Sequence, residues 1–210
     1  MAPYLKTMPA AAAILFALPS VPPAFAHHVM GGELPRTFWQ GLLSGLGHPI
    51  IEIDHFAFVV GVGLASYMVG RIALLPFLFA AGTVLGCFIH LQGLDLPWSE
   101  AAIAFSLVVL AVIVGMRARL PAGIVATLFV VAGIFHGYAY GESIIGAEPA
   151  PLGAYIVGFA LIQYGIAVSS GAALGMIVGR KYISEATAVR MAGAAIALVA
   201  AVSFANITLD

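Results

Sequence analysis

Six apolar runs of about twenty residues, separated by short polar stretches, set the strongest limit on what this chain can fold into. They cover about Pro49 to Gly70, Ile72 to Gln92, Trp98 to Met116, Pro121 to Tyr140, Leu152 to Gly179 and Ala186 to Ile207. A helix needs ~20 residues to cross ~30 Å of hydrocarbon. Backbone polar groups in lipid must be bonded within a helix or around a closed barrel, and continuous apolar runs of this length form helices. The chain is 62% hydrophobic and 8% charged, where a soluble domain carries roughly a quarter charged residues. The predicted fold is therefore all-α, a polytopic membrane protein with six transmembrane helices. The fifth run is long enough to tilt or kink. A net charge of −1 gives no reason to expect a nucleic-acid partner. The single cysteine, Cys87, excludes an internal disulfide and a multi-thiolate metal cage.

The N-terminus reads as a secretory signal. Lys6 supplies the positive start, Ala10 to Leu18 the apolar core, and Ala24-Phe25-Ala26 a small-x-small cleavage site. Pro19, Pro22 and Pro23 would break a spanning helix there. Residues 1–26 are thus expected to be removed, leaving 27–210 as a single membrane domain that begins His27-His28. Thr37 to Leu46 is apolar but too short to span, and suits a re-entrant or interfacial half-helix. Pro49 disfavours helical geometry at His48, which predicts a helix break near that point.

Loop charges predict the orientation. Arg71, Arg117, Arg119, Arg180, Lys181 and Arg190 fall at one set of alternate span ends. Asp95, Glu100, Glu142, Glu148 and Asp210 fall at the other. By the positive-inside rule the basic ends are cytoplasmic, so the mature N-terminus and the C-terminus lie outside. This agrees with a cleaved signal and an inner-membrane location.

Ionisable groups are costly within a membrane and mark functional sites there. His48, Glu52, Asp54 and His55 lie within eight residues at the entrance of the first run. With the orientation above, His48, His55, His90 and His136 all fall in the outer half of the membrane, and His27 and His28 outside it. On a regular helix His48, Glu52 and His55 share a face. His48 and His55 are ~10 Å apart along such a helix, too far for both to hold one ion through ~2.1 Å bonds. Either a break folds His48 back or the two are successive stations. Asp54 points elsewhere and is a candidate to orient a histidine or to stabilise the broken turn. Cys87 and His90 are three residues apart and share a face. Imidazole and carboxylate together suit nickel, cobalt, zinc or iron rather than calcium or magnesium. Gly171, Gly175 and Gly179 form a small-residue face expected to pack on a neighbouring helix.

The pattern His48-Pro49-x-x-x-x-Asp54-His55 is similar to the signature of the HupE/UreJ family of bacterial nickel and cobalt permeases. Phe135-His136-Gly137-Tyr138-Ala139-Tyr140-Gly141-Glu142 resembles the second motif of that family, and Leu96-Pro97-x-x-Glu100-Ala101 is a weaker third match. The resemblance covers essentially the whole mature chain. It implies a transporter rather than an enzyme, with Ni²⁺ or Co²⁺ as transported substrate and no permanent cofactor. Carried over by motif, the path residues are His48, Asp54, His55 and His136, with Glu100 added. Family members often carry histidines where this chain has Tyr138 and Tyr140, and Glu52 replaces a small or apolar residue. Glu52 and His90 are therefore candidate replacement ligands, and His27 and His28 candidate collectors of the ion. Two other classes stay open from the residues alone. One is a haem-binding electron carrier using His90 and His136. The other is a zinc-dependent intramembrane hydrolase using histidines and Asp54. An anchoring subunit is the plainest alternative.

Overall fold

The computed structural model describes residues 33–209. The expected signal segment and His27-His28 lie outside the described residues. Seven helices, and no strand, are found among those described: α1 Phe38–Ile51, α2 Ile53–Val69, α3 Leu74–Leu91, α4 Ser99–Gly115, α5 Ala122–Glu142, α6 Pro149–Gly179 and α7 Glu185–Leu209. The all-α expectation is met. Four helices, α3, α5, α6 and α7, are long and apolar enough to cross a bilayer. Helices α1 and α2 pass the same test only as a pair, and they are bent by 81°. Helix α4 has 17 residues, which is ~26 Å of helix. Length and composition thus establish four spans, or five with the bent pair, of the six expected.

The half-helix expected before the first span is present and runs further than foreseen. Thr37 caps it: its hydroxyl accepts from Gln40 N at 3.2 Å, and the Gln40 side chain accepts in return from Thr37 N at 3.1 Å. This reciprocal box satisfies two backbone donors that a helix start would leave open. The break predicted at His48 is instead at Glu52, whose backbone is extended (φ −83°, ψ 114°). Pro49 lies inside α1. A proline in the last turn removes only one bond of the ladder, and here the chain turns three residues later. Helix α2 ends at Gly70, left-handed at φ 73°, where a Cβ would be strained.

Helix α2 is the hub of the bundle and touches all six others. Around it the tightest pairs are α3 with α5, α1 with α6, and α4 with α7. Lipid tails offer no hydrophobic gain for helix association, so close backbone packing through small residues must supply it. In the α3–α5 pair Gly82 faces Val130 O, Gly86 faces Ile134 O, Gly133 faces Phe79 O and Gly137 faces Thr83 O. The Gly171 face packs within the chain as expected: a Cβ there would sit 2.6 Å from Gly63 O, and one at Gly175 2.8 Å from the Tyr67 ring. Gly179 differs, with nothing within 4 Å.

Gly86→Leu should push α3 and α5 apart and cost about 1–3 kcal/mol, as overpacking does. Gly165→Ala meets no neighbour within 4 Å and should gain up to ~1 kcal/mol of helix propensity. Thermal unfolding in detergent checks both: a lower midpoint for the first, an equal or higher one for the second.

Candidate metal centre

The corner at Glu52 builds the site. It turns α1 sharply into α2, so His48 at the end of one helix and His55 at the start of the next face each other. Their ring centroids are 6.0 Å apart, not a straight climb of two turns. The chain folds His48 back towards His55, with Glu52 as the pivot in place of the Gly47-Pro49 segment. The Glu52 carboxylate spans the gap: Oε1 is 3.3 Å from His48 Nε2, and Oε2 is 2.9 Å from His55 Nδ1.

Asp54 grips the same imidazole. Its Oδ1 accepts from His55 N at 2.7 Å and lies 2.9 Å from His55 Nδ1. Nδ1 therefore faces two carboxylate oxygens and must carry the proton. In the neutral ring that leaves the lone pair on Nε2. This atom is buried and has no hydrogen-bond partner. A carboxylate holding one imidazole nitrogen while the other is offered outward is the usual support for a metal-ligating histidine. One ligand atom each from Glu52, Asp54 and His55 lies within 4.8 Å of the others, so the two carboxylates bring negative charge beside the imidazole, while a cation held by all three through Nδ1 would have to displace the proton there.

His136 comes from α5, and its ring is 4.8 Å from that of His55. Ser106 on α4 fixes its tautomer. The Ser106 hydroxyl donates to Ile103 O at 2.7 Å, so it can only accept from His136 Nε2, 3.1 Å away. The remaining lone pair is on Nδ1, again buried and unpartnered. Phe58 and Phe79 pack on the same ring at 4.4 and 5.9 Å. Two imidazoles from separate helices thus present free lone pairs in the buried interior. An unpaired buried acceptor costs ~1–3 kcal/mol, so the arrangement has value only when a cation or water completes it.

Of the residues singled out from the sequence, His48, Glu52, Asp54, His55 and His136 are brought together. His90 is not among them. Its ring lies against that of Tyr138 at 4.2 Å, tilted by 56°, and its Cβ fills the space above Gly141. Tyr138 and His136 are two residues apart on α5, about 200° around the helix, so the two histidines lie on opposite faces. His90 is not among the rings packed against His136. Cys87 is fully buried in a cluster with Tyr140, Ile144, Tyr155 and Phe159, a small apolar filler. Glu100 is exposed in the first turn of α4.

Sequence reasoning missed three groups. Tyr140 lies against both His48 (4.7 Å) and His55 (4.6 Å), with its hydroxyl buried and unpartnered. Its position one turn from His136 on α5 was the available signal. Ser106, the orienter of His136, and Ser143, 3.4 Å from His48 Nδ1, gave none.

The fold and site define a helical membrane protein with a buried His/carboxylate cluster built across a broken helix. Comparison with known proteins is in agreement. The family model "HupE / UreJ protein" matches residues 14–203, and the chain belongs to that family. It is 29% identical over 139 residues to "Protein HupE" of Rhizobium leguminosarum bv. viciae, covering 65% of this chain and 69% of the relative. No solved structure matches. Membership makes this a membrane transporter and not an enzyme, which removes the hydrolase reading.

Ser106→Ala should release the His136 tautomer and weaken binding of Co²⁺ to detergent-purified protein by roughly tenfold, the low end for loss of a ligand's supporting partner. Titration followed by the visible absorption of Co²⁺ checks this, and an unchanged affinity would count against the tautomer assignment.

Proposed function

We propose that the chain imports a divalent transition-metal ion, nickel or cobalt, across the bacterial cytoplasmic membrane through the polar interior of its bundle. The family is associated with nickel and cobalt uptake. The observation that carries the reading is the pair of unpartnered nitrogens, His55 Nε2 and His136 Nδ1, on rings 4.8 Å apart.

Acidic residues at the outer ends, Glu100 among them, and His27-His28 gather the cation. His48 and Glu52 take it at the corner. The Glu52 and Asp54 carboxylates offset its charge where water is scarce, and His55 with His136 receives it. Mixed nitrogen and oxygen donors hold nickel or cobalt without the grip of thiolates, which suits release. The broken helix places this exchange where backbone groups and side chains can both serve the ion. The bent pair α1–α2 counts as one span and the short α4 as another, giving six. The signal is cleaved, residues 27–210 act as one unit, and the basic ends face the cytoplasm. Metal-path roles belong to His48, Glu52, Asp54, His55 and His136, while His90 is structural.

Cells expressing the chain should accumulate radioactive nickel or cobalt. Asp54→Ala, His55→Ala and His136→Ala should each reduce uptake at least tenfold, and His90→Ala should retain most of it. Equal accumulation in all variants would remove these residues from the path. Protons and metal compete for the same nitrogen lone pairs. Raising the proton concentration favours the metal-free form, so uptake should fall between pH 7.5 and 5.5. A flat profile would contradict imidazole ligation.

A further inference from the structure

At the end of the bundle carrying the α2–α3 and α4–α5 connections lies a cavity of about 710 Å³. Three arginines line it: Arg71 after the end of α2, and Arg117 and Arg119 after the end of α4. Met68 and Leu120 give it an apolar side. Glu185, in the first turn of α7, supplies the one carboxylate of the lining and is paired with Arg117 at 2.7 Å. Arg117 itself has a left-handed backbone (φ 55°), a conformation that a non-glycine residue adopts at a cost. Its Nε is covered and lacks a hydrogen-bond partner. Among the described residues, neither Arg71 nor Arg119 has a carboxylate within ion-pair distance. The cavity therefore carries a net excess of two positive charges, from three helix ends that meet. A divalent cation would be repelled here, so the metal path does not account for it.

We propose that this cavity binds a phosphate oxyanion, the headgroup of an anionic phospholipid. Guanidinium groups match phosphate oxygens in charge and geometry. The volume lies within the ~300–1,000 Å³ range of small-ligand pockets. The apolar wall beside the arginines suits a molecule whose phosphate continues into a glycerol backbone and acyl chains. Basic pockets between helices at the cytoplasmic border are known places for such headgroups, and this is the end that the positive-inside rule puts there.

The test uses the full chain purified in non-ionic detergent and titrated with dioleoylphosphatidylglycerol, dioleoylphosphatidylcholine or inorganic phosphate. Native mass spectrometry reads bound lipid and thermal unfolding reads stabilisation. Phosphatidylglycerol should bind in preference to phosphatidylcholine and raise the unfolding midpoint. The double variant Arg71→Gln/Arg119→Gln should bind it more weakly by a factor on the order of 30. Arg190→Gln, a charge removal on α7 outside the cavity lining, should bind as the wild type does. Equal binding of the two lipids by the wild type would overturn the proposal, however the double variant folds. So would unchanged phosphatidylglycerol affinity in the double variant. Displacement of the lipid by millimolar inorganic phosphate, with the same stabilisation, would overturn the lipid source and assign the cavity to a soluble phosphate.

Discussion

One carboxylate at a corner organises the site. Glu52 has extended backbone between two helices that meet at 81°, and its two oxygens reach a histidine on each side at 3.3 and 2.9 Å. A straight helix would have kept His48 and His55 two turns apart. With the corner, the two rings and the carboxylate form one cluster, and α2 carries it into the centre of the bundle. The cost is a break in the backbone ladder, tolerable at membrane depth only where protein surrounds it. Here α1 is clasped by α6 and α2 is touched by every other helix.

Small residues make that enclosure possible. Glycines along α3 and α5 let the two backbones touch, and this brings His136 to the bundle centre beside His55. The aromatic rings of Phe58, Phe79 and Tyr140 then close the space around the imidazoles. The result is a low-dielectric setting in which each polar contact counts for more than it would in water. Asp54 and Ser106 use that setting. Each fixes one nitrogen of a histidine, and the nitrogen left over is the one offered to a cation.

Much of this was legible in the sequence, and the remainder was not for physical reasons. Apolar runs gave the helical class because lipid leaves few other solutions for the backbone. The histidines and carboxylates near position 50 announced a site because membranes penalise idle charge. The corner lies four residues beyond His48, since Pro49 is a local signal that the last turn of α1 absorbs, while α1 packs on α6. Depth alone grouped His90 with His136, but the angular position around α3 and α5 separates them. Ser106 could not be found at all: nothing in the sequence of α4 says which neighbour its hydroxyl meets. Helix length and composition alone count four spans, or five with the bent pair, because α4 is shorter than its apolar run and the first run is divided by the bend.

The central claim is that imidazoles from α2 and α5 together hold the transported ion. X-ray absorption at the nickel edge of the loaded, purified protein tests it directly. The expected spectrum shows nitrogen and oxygen neighbours with outer-shell scattering from about two imidazoles, one of which disappears in His136→Ala and remains in His90→Ala. An imidazole signal that is absent, or unaltered by His136→Ala, would contradict the account.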